Sequence, residues 1–478
     1  MKKFLLPLIA TAFLLVSCKG DLTSLNKDPK SPATVPGEPL FTNAEFTLGN
    51  YLNDPSYNRN PFLLYAQYWA ETTYSSESRY ELTTRQIPST LWEDLYTNVL
   101  KDLDQSKKII QNDKFMDKKV KQNKVACINI LEALTYSDLV NIFGNVPYGK
   151  ALNIDNTLPK YDDAETIYMD LLSRLNTAIG NLDTSAEGFG DADIYYQGDI
   201  SKWIKFANSI KMRLGITLAD SNPQTAKKAV ESASPNAFQS NDDDALIHFE
   251  KTPPSTNPIW ERLVQSGRND FVPSNTLIDM MNNLNDPRRK EFFVKTDTSV
   301  YEGGTYGTTN TYGAYSHMSS KILARDLTGF IMKYPEIEFI RAEAAQRGYN
   351  ISGSAQSHYN EAIRTDMQYW GVADSSITQY LSQSDVNYAT AIANGTEMQR
   401  IAQQKYLGLY LQGLQAWTEW RRLDAPTFNP PPGMTMSDIP VRFTYPVSEQ
   451  NLNTKNYNQA ASAIGGDKLS THIFWDVN

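Results

Sequence analysis

Cysteine and histidine are scarce in this chain: Cys18 and Cys127 are the only thiols among 478 residues, and there are four imidazoles. If Cys18 is used at the chain's beginning, Cys127 has no partner and an intramolecular disulfide is excluded. Cys127 sits in VACINILEAL, where it reads as a small buried hydrophobe. His248, His317, His358 and His472 are far apart, and no His-Glu-x-x-His zinc pattern occurs. The strained Gly-x-Ser-x-Gly turn of serine hydrolases and the phosphate-cradling Gly-x-x-x-x-Gly-Lys-Ser/Thr loop are also missing. No motif asks for a cofactor. Basic charge is in deficit, 45 Lys and Arg against 54 Asp and Glu, for a net −9. Nucleic acid is therefore an unsuitable partner, since phosphate contacts need clustered cations. After residue 16 no run reads as long and apolar enough to cross a bilayer, which takes about 20 residues.

What is present begins with the apolar run itself. Met1-Lys2-Lys3 is a short basic start and Phe4 to Val16 is almost wholly apolar, the layout of a secretory signal. The run closes with Leu15-Val16-Ser17-Cys18, which resembles a bacterial lipobox. That reading makes 1–17 a removed signal peptide and Cys18 the lipidated first residue. Two acyl chains at about 0.8 kcal/mol per buried methylene give stable anchoring without a spanning helix. Residues 18–38 are polar and proline-studded, a linker from lipid to body. The body is then 39–478.

Helical periodicity dominates the body. Leu91, Leu95, Val99 and Leu103 form one stripe, with Ser89 or Thr90 as the expected N-cap. Further stripes are Val125, Ile128, Leu131, Leu139 and Ile142, ending at Gly144; Ile167, Leu171, Leu175, Ile179 and Leu182; and Trp203, Phe206, Ile210 and Leu214. The segment AEAAQRGYNISGSAQSHYNEAI reads as a degenerate tetratricopeptide-like pair carrying Tyr359 and Ala362 on its second helix. Arg421 and Arg422 close a late helix, where cations suit the negative end of its dipole. From about 235 to 329 the pattern breaks into a region rich in Asn, Asp, Pro, Thr, Gly and Tyr. The expected class is mainly α, a tetratricopeptide-like helical scaffold with a large irregular, loop-rich insertion.

In chain order, the cysteine-ended apolar run, LNKDPKSP, NIFGNVPYGKAL, WIKFANSIKMRLG, NDPRR, YPEIEFIRAEAAQRG, QKYLGLYLQGLQAWTEWRRLD, IPVRFTYPVSEQNLN and the terminal IFWD resemble the SusD/RagB family of outer-membrane lipoproteins, and most of all its second SusD-like branch. The resemblance implies four tetratricopeptide-like helix pairs. It also implies a TonB-dependent SusC-like barrel as partner, and capture of oligosaccharides, or in some members peptides, at the surface of Bacteroidetes cells, by binders and not enzymes. Surface lipoproteins of this group often carry several acids just after the cysteine; here Lys19-Gly20-Asp21 supplies one. A lipid-anchored surface glycosidase is the competing reading. The chain holds many acids, but sequence does not place two of them across a cleft.

The family has no short signature for its ligand site, so the candidates come from the residues themselves. ETTYSSESRYELTTRQ, Glu71 to Gln86, carries Tyr74, Arg79 and Tyr80 on polar, aperiodic chain. VYEGGTYGTTNTYGAYSHM, Val300 to Met318, sets Tyr301, Tyr306, Tyr312 and Tyr315 among glycines and threonines. Rings on polar loops suit sugars, because a ring stacks on apolar C–H faces while neighbouring amides and carboxylates bond the hydroxyls. Trp260 in NPIWERL and Trp370 in MQYWG are further candidates; packing inside the protein is the alternative for each. The acidic turns DADIYYQGD and Asn241 to Asp244 offer oxygens to calcium but follow no EF-hand spacing, and no metal is expected.

Overall fold

The computed structural model describes residues 35–477, so the signal segment, Cys18 and most of the linker lie outside the described residues. Ten longer helices carry the fold: α1 Gly37–Asn53, α2 Lys101–Asn112, α3 Lys118–Phe143, α4 Ala164–Asn181, α5 Ile200–Thr217, α6 Pro223–Ala233, α7 Tyr334–Gln346, α8 Ala355–Tyr369, α9 Glu397–Gly408 and α10 Gly413–Leu423. Their starts are written in the sequence. Asp117, Asp163, Asp199 and Asn222 each accept a hydrogen bond from a first-turn N–H of α3, α4, α5 and α6. Ser354 and Ser357 form a reciprocal capping box at α8.

The helices pack in pairs, α1 on α2, α3 on α4, α5 on α6, α7 on α8 and α9 on α10. Each pair also meets its neighbours, since α5 contacts both α4 and α7, and α7 contacts α9. This is the stacking expected of helical repeats, in which one pair cannot bury its own apolar face. At α5 on α6, a Cβ on Gly215 would sit 2.9 Å from the Ala229 Cβ, so only glycine permits that approach. The tetratricopeptide-like segment is the α7–α8 pair, and Tyr359 and Ala362 are both fully buried in it.

Three expectations need correction. The helix of the Leu91 stripe starts at Ile87, before Ser89 and Thr90, because Pro88 suits a first turn whose N–H groups have no partner anyway. Helix α3 is long and apolar enough to cross a bilayer, contrary to the sequence reading, but it is buried against α2, α4 and α5 as a core helix. Arg421 and Arg422 do not serve the helix dipole from outside. Both are buried: Arg421 stacks on Trp417 and Trp475, and Arg422 binds Glu343 through two bonds of 2.6 Å.

The region from 235 to 329 holds short elements only. Its strands form three antiparallel two-stranded ladders: β1 Trp69–Glu71 with β3 Phe271–Pro273, β2 Ala245–Ile247 with β6 Gly329–Met332, and β4 Phe293–Val294 with β5 His317–Met318. Buried charge ties this region to the helices. Arg288, fully buried, binds Asp286 at 2.6 Å and Asp366 of α8 at 2.7 Å, and Lys333 completes the cluster on Asp366 at 2.8 Å. Three acids of the acidic turns are tied in the same way. Asp193 accepts hydrogen bonds from Tyr195 N, Tyr196 N, Gly198 N and Trp203 Nε1, while Asp243 binds Lys205 and Asp244 accepts from Tyr334 N.

Candidate ligand-binding surface

Strand β1 leads straight into the first aromatic loop. Its pairing with β3 runs Trp69 to Pro273 and Glu71 to Phe271, and continues as Thr72 N donates to Asp270 O at 3.0 Å. Glu71 then pins the loop from inside, because its Oε2 accepts from Ser78 N at 2.9 Å and Ser78 Oγ at 2.6 Å. Tyr80 and Gln86 adopt positive φ, 68° and 52°, which turns the chain back toward the helix at Ile87.

The second aromatic loop is bonded directly to the first. Asn310 donates from Nδ2 to Glu71 O at 2.8 Å and from its backbone N to Thr72 O at 3.1 Å. Arg79 Nη1 donates to Gly307 O at 3.3 Å and to Pro432 O at 3.2 Å, bringing in a third segment. Gly307 has φ 73°, and a Cβ there would meet the Pro431 Cβ at 2.4 Å, so glycine is required by both torsion and space. The two stretches singled out in the sequence, separated by more than 200 residues, thus join at one place.

The sequence candidates divide by burial. Tyr80 and Tyr306 are core residues, 6% and 1% exposed, with ring centroids 6.4 Å apart, and Tyr80 packs edge-on to Tyr65. They form the floor of the junction and offer no face to a ligand. Trp370 is 2% exposed and packs edge-on to Phe292, Phe330 and Tyr369 at the end of α8, with the Lys333 ammonium 5.8 Å from its ring. Trp260 is 8% exposed and is covered by the Arg325 guanidinium, 4.6 Å from its ring. All four rings are buried, so little of their area is open to a ligand. Tyr74 is the opposite case, 53% exposed. Tyr312 and Tyr315 are half-buried on the second loop, and Tyr312 stacks on His317 with centroids 3.9 Å apart and planes 10° from parallel.

Beside Tyr74 the structure adds residues that the sequence reading passed over. The Arg85 guanidinium carbon lies 4.7 Å from the Tyr57 ring centroid and 5.7 Å from that of Tyr74. Arg85 Nε is held by Glu77 at 2.7 Å, and Arg85 Nη1 donates to Asn58 Oδ1 at 3.2 Å. Arg268 closes on Asp270 through two bonds, 2.6 and 3.1 Å. Tyr57 lies in YLNDPSYNRNP, a polar proline loop of the same kind as the others, and Arg85 lies within the Glu71–Gln86 stretch itself. Tyr57 thus shares with Tyr74 the pattern of a ring on a polar loop.

The chain's profile matches, over residues 29–446, that of the SusD-like family of the second branch, described as starch-binding and associating with the outer membrane. The chain belongs to this SusD-like family. Solved structures agree in fold. This SusD-like chain is similar to a chitin-binding protein, 25% identical, with TM-score 0.81 over 92% of this chain and 100% of the other. It is also similar to a SusD-like protein of Bacteroidetes AC2a, 21% identical, TM-score 0.82, over 93% of this chain and 100% of that one. A third is a chitin-binding SusD homologue from Flavobacterium johnsoniae, 24% identical, TM-score 0.78, over 92% and 98%. A comparison with curated proteins gives no match. The mainly helical SusD-like fold expected from the motifs is the fold found.

Proposed function

We propose that this SusD-like protein captures an oligosaccharide on the surface built by Tyr57, Arg85 and Tyr74, with Tyr312 and Tyr315 contributing from the second loop, and hands it to a SusC-like TonB-dependent barrel. The observation that carries the reading is the guanidinium of Arg85 held between two tyrosine rings on a polar face. Such rings present flat apolar area with little rotamer entropy to lose, and the cation between them fixes their spacing. Arg79, Arg85 and Arg268 supply donors to sugar hydroxyls, and a lipid on Cys18 holds the body at the outer face of the outer membrane. Relatives of like fold carry chitin-binding in their names, which favours a sugar over a peptide. The role is capture without chemistry: the carboxylates built into this face, Glu71, Glu77 and Asp270, are buried or ion-paired.

Isothermal titration of the lipid-free protein, Lys19 onward, with chitohexaose, maltoheptaose and a peptide pool tests this. One of the two glycans is expected to bind without product release, and Tyr74→Ala is expected to weaken it about five- to tenfold, the worth of one stacked ring. Unchanged affinity in Tyr74→Ala, or slow hydrolysis of the glycan, overturns the reading.

A further inference from the structure

The chain enters its helical body beside an exposed ring that the body does not cover. Helix α1 begins at Gly37, whose carbonyl accepts a hydrogen bond from Ser106 Oγ of α2 at 2.7 Å. A Cβ on Gly37 would meet Ile110 Cγ1 at 2.8 Å, and Glu38 binds Lys124 of α3 at 2.5 Å. The start of α1 is thus held between the second half of α2 and the first two turns of α3. The turn joining those two helices carries Phe115, the one large apolar side chain among the described residues that is 100% exposed. Its neighbour Met116 packs on the core, so the turn folds with one apolar residue in and one out. Asp113 Oδ1 fixes this shape by accepting from Phe115 N at 2.7 Å and Met116 N at 3.1 Å, and Lys121 donates to Asp113 O.

The charges beside the ring have the sign that an anionic surface attracts. Lys114 and Lys118 are exposed, and neither forms an ion pair among the described residues. The acids of the turn face inward: Asp113 and Asp117 accept from backbone N–H groups, and Asp183 of the neighbouring loop is held by Lys119 at 2.8 Å. The exposed Glu187 follows on that loop, which Asn123 fastens more than a turn further into α3.

The ligand loops lie at the other end of a long helical run. Ile87–Glu93, Asp94–Leu100 and α2 follow one another without a break. The first aromatic loop, Glu71 to Gln86, enters this run, and the Phe115 turn leaves it. At up to 1.5 Å of rise per residue the run is about 35 Å long.

We infer that the α2–α3 turn is a second membrane contact. Phe115 enters the headgroup layer of an anionic lipid surface, Lys114 and Lys118 meet its phosphates, and the first aromatic loop stands up to about 35 Å above. The inference rests on the proposed lipid anchor, because the segment before Gly37 leads to Cys18 and a lipid there draws this end to the bilayer. One ring and two cations bind a bilayer weakly from solution. On a tether the second contact becomes intramolecular, and a weak one suffices to orient the body.

The protein from Lys19 onward, with a histidine tag before Lys19, is tethered to vesicles through a nickel-chelating lipid, so the outcome does not depend on acylation of Cys18. Hydrogen exchange is compared in solution, on phosphatidylcholine vesicles, and on vesicles with phosphatidylglycerol added. Amides 113–118 are expected to exchange about fivefold or more slowly on the anionic vesicles, and to lose part of that protection in high salt, which screens the lysines. Residues 72–86 are expected to exchange as in solution. Phe115→Asp, and Lys114→Glu with Lys118→Glu, are each expected to abolish the protection while leaving melting temperature and glycan titration unchanged. Equal exchange of 113–118 in solution and on both vesicles overturns the inference, as does protection that survives Phe115→Asp. Protection of 72–86 together with 113–118 overturns the upright orientation. Protection of the turn in native outer membranes but on neither vesicle means that a protein covers it, and the lipid contact falls. Absence of glycan binding leaves this result untouched. A mature protein whose mass shows Cys18 unmodified overturns the anchor, while the tethered vesicles still decide the turn.

Discussion

Arg79 in the first aromatic loop donates a hydrogen bond to the backbone carbonyl of Gly307 in the second, across 228 positions of sequence. The same Nη1 reaches Pro432 O, so one guanidinium ties three segments that no helix or ladder joins. Arg79 is half-buried, so these bonds are partly screened by solvent. Arg79→Ala is expected to lower global stability by about 1 kcal/mol or less. Ligand affinity should suffer more, about three- to tenfold, because a tie between the loops and a donor toward the sugar are lost together, while the Asn310 bonds remain. Paired melting and titration experiments separate the two effects; a loss confined to stability would argue that the loops hold position without Arg79.

Gly307 makes the same junction sensitive to a single methyl group. Its φ of 73° and the 2.4 Å approach of Pro431 leave no place for a Cβ. Gly307→Ala is expected to cost about 1–3 kcal/mol in chemical denaturation, from strain and from displacement of the 429–434 segment. Gly313, on the same loop with open space around it, is the control, and Gly313→Ala should be close to neutral.

Burial divides the aromatic candidates into two experimental classes. Trp370→Ala removes a large ring from among Phe292, Phe330 and Tyr369 and is expected to cost about 3–5 kcal/mol. In whatever fraction stays folded, its ligand affinity should match wild type. Tyr74→Ala should do the reverse, leaving the melting temperature within about 1 °C while weakening binding. If Trp370→Ala instead weakened binding in proportion to Tyr74→Ala, the assignment of that ring to the core would be wrong.

The helices were legible because caps and apolar spacing act over a few residues, as Asp117, Asp163 and Asp199 illustrate. The motifs that carried the family resemblance turn out to hold buried charge. Lys405 and Arg422 meet on Glu419 at 2.9 and 2.5 Å, Arg422 reaches Glu343, and Arg213 binds Glu336 at 2.6 Å. Removing one partner of such a pair leaves an uncompensated buried charge, so substitution of either partner is expected to be costly. The ligand surface has no comparable local rule. Tyr74 and Tyr80 sit six residues apart on the same polar loop, and nothing in their spacing says that one ring is exposed and the other buried. That outcome is decided by Tyr65 and Tyr306, which arrive from distant segments.

Asp138, buried in α3, gives the fold a pH dependence away from the ligand surface. It lines a cavity of about 30 Å³ together with Arg213, Phe330, Gln412 and Gln415. Burial raises its carboxyl to about 7, with Arg213 pulling it down and Glu336 pushing it up. The unfolded chain releases this proton near pH 4, while the folded protein keeps it to about 7. Between those values the native state binds more protons than the unfolded state, so stability falls as pH rises, and below about pH 4 the contribution is fully present. Asp138→Asn removes the titration without changing the side chain's shape. Stability measured by denaturation at pH 5 and pH 8 is expected to fall between the two in wild type, and to fall by less in the variant. Equal falls in both proteins would mean that Asp138 is already ionised at pH 5, with Arg213 and not burial controlling it.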